Sequence, residues 1–211
     1  MERPLDTTAA EAYEKHIVPA FMLPLVNGVI DNAAPVPGEG ILDVACGTGL
    51  VARLVAPRVA PGGTVSNLDF DPAMIAVARG LVECPLSVNM TWHCASALSM
   101  PFDDGEFDLV FCLNGLQFLP ACAAGLAEMR RVMKPGGRLI YATCSLLDAE
   151  NREQVAAFLA AQPEFSLLPY GEIWRDLNGA PLPSLGDMLQ LTPAQHGTDG
   201  FFVAVMARKE G

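Results

Sequence analysis

The segment "LDVACGTGL" places a carboxylate, Asp43, just ahead of Gly47 and Gly49, in a turn that opens a helical pattern. Glycine permits tight φ/ψ values and lets the backbone approach a ligand closely. Twenty residues after Gly49 stands a second carboxylate, Asp69, at the end of the next apolar run. An acidic side chain there can accept hydrogen bonds from both hydroxyls of a ribose. The arrangement predicts a nucleoside-bearing ligand in the crevice above the carboxyl ends of parallel strands. Two ligand chemistries are open at this point. Gly47, Gly49 and Ala52 satisfy G-x-G-x-x-A, which suits a dinucleotide pyrophosphate. Asp43 favours the other, because a carboxylate is unfavourable beside a pyrophosphate and favourable beside a cation. The chain also lacks room for a separate substrate domain, and it holds no Tyr-x-x-x-Lys pair for hydride chemistry. A plain turn with no ligand is the bland alternative; Asp43 and Asp69 together count against it.

A second candidate is Cys144, at the end of "RLIYATC" and just before a helical pattern. The thiolate is the reactive form of cysteine. No Lys, Arg or His adjoins Cys144 in sequence to stabilise a thiolate, so a small structural residue is the favoured reading. His16 falls three residues after Tyr13, on one helical face, and can act as a base if that helix covers an acceptor pocket. His93 and His196 read as structural, Glu11 and Glu14 as a solvated face, and Met74, Met129 and Met133 as core. The six cysteines form no C-x-x-C pair, and no metal site is expected.

The elements that must position these residues follow from hydrophobic period and punctuation. Strands are predicted at 40–46, 64–70, 86–93, 107–114 and 138–144. One or two helices are predicted over about 8–17 and 19–32, and further helices at 49–60, from 72, at 120–133 and at 148–161. Asp71 caps the helix that opens at Pro72. Two final strands, 187–193 and 200–209, flank the turn "HGTDG" and leave no room for a helix between them, so they are antiparallel. Alternating strands and helices give an α/β doubly wound, Rossmann-like sheet. The chain reads as one domain: a helical cap over 1–39, a ligand-binding half over 40–144, and a C-terminal part over 145–211 with a β-hairpin.

Composition narrows the partners. The formal charge is −11, and both parts are acidic: residues 1–135 carry 8 Lys/Arg against 15 Asp/Glu, and 136–211 carry 5 against 9. Nucleic-acid affinity rests on neutralising phosphates with Lys and Arg, so this balance counts against a nucleic-acid partner. No run approaches the ~18 apolar residues of a spanning helix, and the charged N-terminus is not a signal peptide. A cytoplasmic protein with no membrane partner is expected. Nothing in the sequence points to an oligomeric state.

Residues 5–140 resemble the class I S-adenosylmethionine (SAM)-dependent methyltransferases, in particular the small-molecule branch of ubiquinone and menaquinone biosynthesis. The carriers are "ILDVACGTGLVARLVAPRVAPGGTVSNLDFDPAMIAVAR", "ASALSMPFDDGEFDLVFCLNGLQFLP" and "LAEMRRVMKPGGRL". The resemblance implies a seven-stranded sheet of order 3-2-1-4-5-7-6 with strand 7 antiparallel. It implies SAM as cofactor, with Asp43, Ala45, Gly47 and Gly49 around the methionine part and Asp69 on the ribose. Phe70 or Met74 then flanks adenine, and Ser96-Ala97 stand where the family often has Asp-Ala at the adenine edge. Leu113 and Asn114 line the methyl-donor end, and Tyr13 lies on a helix that closes over the amino-acid moiety. The implied reaction is methyl transfer to a small-molecule acceptor.

Residues 138–209 resemble a different family, the bacterial ribosomal RNA cytosine-5 methyltransferases, through "LIYATCSLLDAENREQVAAFLAAQPEFSLLP" and "LQLTPAQHGTDGFFVAVMARK". By that resemblance Cys144 inherits the position of the nucleophile. The family's Asp-Ala-Pro-Cys motif, however, is replaced here by Leu113, Asn114, Gly115 and Leu116, which removes the acid and the second cysteine. The chain reads as a composite joined near Gly136–Leu139. RNA cytosine-5 methylation through Cys144, and a binding-only protein that holds SAM or its demethylated product, are the two alternatives.

Overall fold

Near-continuous apolarity marks strands that are covered on both faces, and three strands with buried apolar runs form the centre of the sheet. They are β1 (Gly40–Val44), β4 (Phe107–Leu113) and β5 (Met133–Thr143). The computed structural model describes residues 5–82, 88–169, 187–196 and 200–210. Strands β2 (Thr64–Asp69) and β3 (Asn89–Cys94) extend the sheet on one side, and β8 (Phe201–Arg208) extends it on the other. With β6 (Phe165–Leu168) at the far edge, the order is β3-β2-β1-β4-β5-β8-β6. β1 runs parallel to β2 and β4, with Asp43 beside Asn67 and Phe111, whereas β8 runs antiparallel to β5.

Among the described residues the sheet has eight strands rather than seven. The edge next to β8 is shared by two short strands, β6 (Phe165–Leu168) and β7 (Leu189–Leu191). β6 pairs with the stretch Arg208–Val205 and β7 with Val203–Phe201, both antiparallel. The expected strand at 187–193 is thus only the second half of this edge. Most of the turn expected at "HGTDG" lies outside the described residues; His196 ends a helical turn, Pro193–His196.

Side chains alternate between the two faces of the sheet. Ile41, Val65, Leu109, Phe111 and Ile140 face α2 (Leu23–Ala33) and α3 (Leu50–Val59). Leu42, Val44, Val110, Leu139 and Tyr141 face α5 (Cys122–Val132) and α6 (Arg152–Ala161). Burying residues of this size contributes about 1.5–3 kcal/mol each before entropy is counted. α4 (Pro72–Leu81) begins as expected, because the Asp71 carboxylate accepts from Ala73 N at 2.8 Å.

Two helices depart from expectation. Of the one or two helices expected over 8–32, a single continuous run forms, and its middle is not α-helical. α1 (Thr8–Ala12), a π-helical stretch (Tyr13–Met22) and α2 follow one another with helical backbone at each junction. Pro19 is carried inside the π stretch. In an α-helix a proline ring clashes with the carbonyl four residues back; i→i+5 pairing moves that carbonyl's role one residue along. The same register corrects a second expectation. With bonds reaching i+5, the residue beneath Tyr13 is Val18, not His16, and His16 is exposed. The predicted helix 148–161 is a short 3-10 turn (Asp148–Glu150) followed by α6, separated at the fully buried Asn151.

Candidate functional site

A cavity of about 690 Å³ opens over the carboxyl ends of β1, β2 and β4. Drug-sized and cofactor pockets fall within roughly 300–1,000 Å³. Its wall brings together Tyr13, Asp43, Ala45, Gly47, Asp69 and Phe70. Met74, Ser96, Ala97, Leu113 and Asn114 complete the set that the sequence nominates. Gly49, His16 and Cys144 are outside the wall.

Asp69 organises the glycine turn. One carboxylate oxygen accepts from Gly47 N at 2.8 Å, and the other accepts from Asp71 N at 2.9 Å. Gly47 has φ 53°, and a Cβ there would point at Tyr13, whose ring lies 3.9 Å away. Gly49 serves packing instead. It has φ 78°, and a Cβ would meet the Trp92 ring at 2.5 Å. Gly49→Ala should therefore destabilise the fold by more than the ~1–2 kcal/mol of a left-handed alanine alone; thermal or urea unfolding checks this, and an unchanged midpoint contradicts it.

Asp43 is 2% exposed, and its Oδ2 has no hydrogen-bond partner. Burial, and then the charge of Asp69, hold its carboxyl well above the usual carboxylate range. The wall carries three carboxylates, Asp43, Asp69 and Asp71, and, among the described residues, no Lys, Arg or His. Uncompensated buried acid is costly; a cationic occupant relieves it. Burial, and then the charges of Glu14 and Asp43, raise the Tyr13 phenol, so it stays a neutral donor.

Glu14, read from the sequence as part of a solvated face, instead braces the site. The Thr48 hydroxyl donates to Glu14 Oε2 at 2.5 Å, and Arg53 Nη2 donates to Glu14 Oε1 at 2.7 Å. Arg53 also donates to the Thr48 carbonyl at 2.6 Å. This fastens the π stretch to the glycine turn. The far end of the same helical run is held by Arg138, which donates to the Ala33 carbonyl and pairs with Glu39 at 2.6 Å. Only the i+1 relation to Tyr13 hinted at Glu14, since its partners lie 34 and 39 residues away.

Cys144 is exposed and directly follows β5. Its neighbours are pinned by Asn151: Thr143 Oγ1 donates to Asn151 Oδ1 at 2.5 Å, and Asn151 Nδ2 donates to the Ser145 carbonyl at 2.9 Å. The clamp explains why Asn151 is buried and why the helix restarts there.

Residues 41–137 match the family model described as a methyltransferase domain. The fold is also that of a SAM-dependent methyltransferase from Aquifex aeolicus, with a TM-score of 0.68 at 17% identity, covering 97% of this chain and all of that one. The chain carries a methyltransferase domain and shares the fold of SAM-dependent methyltransferases. A second model, for the 16S rRNA methyltransferases RsmB/F, matches residues 117–207. The two matches overlap over 117–137, so α5 lies within both, and the 136–139 boundary read from sequence falls at the end of that overlap.

Among curated methyltransferases, the demethylmenaquinone methyltransferase of Symbiobacterium thermophilum is 40% identical over 105 residues, 49% of this chain and 42% of that protein. The ubiquinone biosynthesis O-methyltransferase of Thiobacillus denitrificans is 34% identical over 143 residues, 67% of this chain and 59% of that protein. The chain spans about half the length of these relatives. The fold is shared with the [4+2]-cyclase SpnF as well, at a TM-score of 0.61 and 18% identity.

The class I methyltransferase cofactor fits the residues present. Asp43 supplies a buried carboxylate whose Oδ2 has no partner and suits a cation, Asp69 stands at the β2 end for a ribose, and Gly47 leaves the approach open. Phe70 is 79% exposed and free to stack on a base. Ser96 spends its hydroxyl oxygen on Leu98 N at 3.1 Å, which leaves its proton as a donor.

Proposed function

We propose that the chain transfers a methyl group from SAM to a small, largely apolar acceptor. The observation that carries this reading is the base-free acidic wall around the orphaned Asp43 carboxylate, next to an apolar chamber. When bound, SAM supplies a methyl group activated by a positive sulfonium. Asp43 and Asp69 hold the cofactor by charge and by sugar. Val18, Met22 and Val26, from the π stretch and α2, line the far side of the cavity and keep water from the reacting end. Positioning and water exclusion supply most of the catalysis such a displacement needs, and no residue is assigned as a base. The quinone-pathway names of the relatives support an apolar, ring-bearing acceptor.

The test is methyl transfer from isotope-labelled SAM to a panel of phenols and hydroquinones, beside RNA. Label in a small-molecule product supports the proposal; label in RNA alone overturns the acceptor class. A second reading, RNA cytosine-5 methylation, is favoured by the RsmB/F match and by the exposed Cys144 on its pinned loop. It would trap a covalent adduct on RNA containing 5-fluorocytosine. We expect none, and we expect Cys144→Ala to leave SAM affinity within about twofold, because the thiol is outside the cavity wall. An adduct lost in that variant would establish the RNA reading.

A further inference from the structure

We propose that Pro19 and Pro24 are positioning residues: they hold Tyr13–Met22 in the π register, and that register turns both ends of the N-terminal helical run toward one cavity. The role of SAM in the inference rests on the methyl-transfer reading; the register does not. Tyr13, Val18, Met22 and Val26 all line the cavity, and all belong to this run. The Tyr13 ring stands 3.9 Å from where a Gly47 Cβ would be, and Met22 Sδ accepts from Asn114 Nδ2 at 3.2 Å. The steps between the four are five, four and four residues. An α-helix turns about 100° per residue. Thirteen residues of α-helix would leave Val26 roughly 140° round the axis from Tyr13. The i→i+5 turn holds more residues than an α turn, so it lags behind and removes the offset. Exposure agrees. α spacing from Tyr13 would bring in Ile17, yet Ile17 and Phe21 are 40% and 49% exposed, while Val18 is buried.

Packing fixes the two ends independently. Glu14 ties the first to Thr48 and Arg53, and Val26, Val29 and Ile30 sink the second into the core. A continuous α-helix satisfies one end or the other. The sequence excludes that alternative. A proline inside an α-helix lacks the N–H for the ladder, and its ring clashes with the carbonyl four residues back. Pro19 lies within the π stretch and Pro24 in the first turn of α2. They are five residues apart, one i→i+5 step. An unbroken α-helix from Thr8 to Ala33 would place both in its interior. Pro19 is itself exposed and outside the cavity wall, so it acts on the site through the register alone.

Helical phase tests this in three full-chain variants. Pro19→Ala with Pro24→Ala frees the α register and keeps the ends out of phase. Pro24→Ala with Pro19 deleted leaves twelve residues between Tyr13 and Val26, about 120° out of phase. Pro24→Ala with Pro19 and Ala20 both deleted leaves eleven, within about 20° of phase. SAM affinity, by calorimetry, should fall about tenfold in the first two and return to within about threefold of wild type in the third. A second readout needs no ligand. The coupling between Glu14→Ala and Arg53→Ala, read from melting temperatures, should be about 2–4 °C in wild type and in the third variant, and should vanish in the first two. No coupling in wild type, coupling retained in Pro19→Ala/Pro24→Ala, or affinity that declines with each deleted residue overturns the assignment. If a deletion prevents folding, the coupling in Pro19→Ala/Pro24→Ala decides by itself. A wild type that fails to bind SAM sinks methyl transfer, while the coupling still reads the register.

Discussion

Asp43→Asn is expected to make the ligand-free protein melt higher while weakening SAM binding by about 10- to 100-fold, the range for losing one interaction with a charged group. The opposite signs have one cause. The Asp43 carboxyl is buried beside Asp69, so its folded-state pKa lies above the ordinary carboxylate value. Stability from such a group is fully present below the unfolded pKa and is lost as pH rises through the folded one. At neutral pH the ligand-free fold therefore carries a penalty that Asn removes, and each kcal/mol recovered raises the melting temperature by about 2–4 °C in a chain of this size. In acid, where Asp43 is already protonated, the difference between wild type and Asp43→Asn should shrink. A cationic ligand reverses the preference, because it stabilises the ionised carboxylate. SAM affinity should then fall as pH drops below the ligand-free pKa of Asp43, by up to about tenfold per pH unit, and Asp43→Asn should flatten that profile. The other groups facing Asp43 are Asp69, Tyr13, Cys46 and Cys112. Burial pushes the phenol and both thiols up, so these three stay protonated across the acid range. Melting curves and calorimetric titrations between mildly acid and neutral pH check both halves.

Asp69→Ala should weaken SAM by roughly 1–3 kcal/mol, about 5- to 150-fold. Two losses combine. The carboxylate is the group at the β2 end assigned to a ribose, and it is also the acceptor that holds Gly47 N and Asp71 N in place. Asp69→Asn separates them, since an amide keeps one acceptor for the turn but lacks the charge. An intermediate affinity for Asp69→Asn fits this account. Affinity unchanged in both variants contradicts the assignment of Asp69 to the sugar.

What was legible in the sequence is what local chemistry dictates. Gly47 between an apolar strand and a helix, Asp69 at the end of the next strand, and Asp71-Pro72 at a helix start each depend on near neighbours, and each occupies the place expected of it. The antiparallel β8 was legible too, because the few residues before it cannot hold a crossover helix; a single helical turn, Pro193–His196, stands there. Residues whose role depends on distant partners were not. Glu14 looks like any solvated helical acid until Thr48 and Arg53 stand beside it. His16 was placed on the Tyr13 face by α-helical spacing, and the π register set by tertiary packing moves it away. Gly49 read as ligand backing, but its reason is Trp92, 43 positions further on. The split edge strand escaped because Phe165–Leu168 has only four residues and no alternating pattern.

The central claim is that an acidic, base-free pocket holds a sulfonium cofactor. Calorimetric titration of the purified chain with SAM, at neutral and at acid pH, tests it most directly. The account predicts one SAM per chain, with affinity that declines toward acid in wild type and stays level in Asp43→Asn. Absence of saturable binding, or a nicotinamide dinucleotide that binds in SAM's stead, would contradict it.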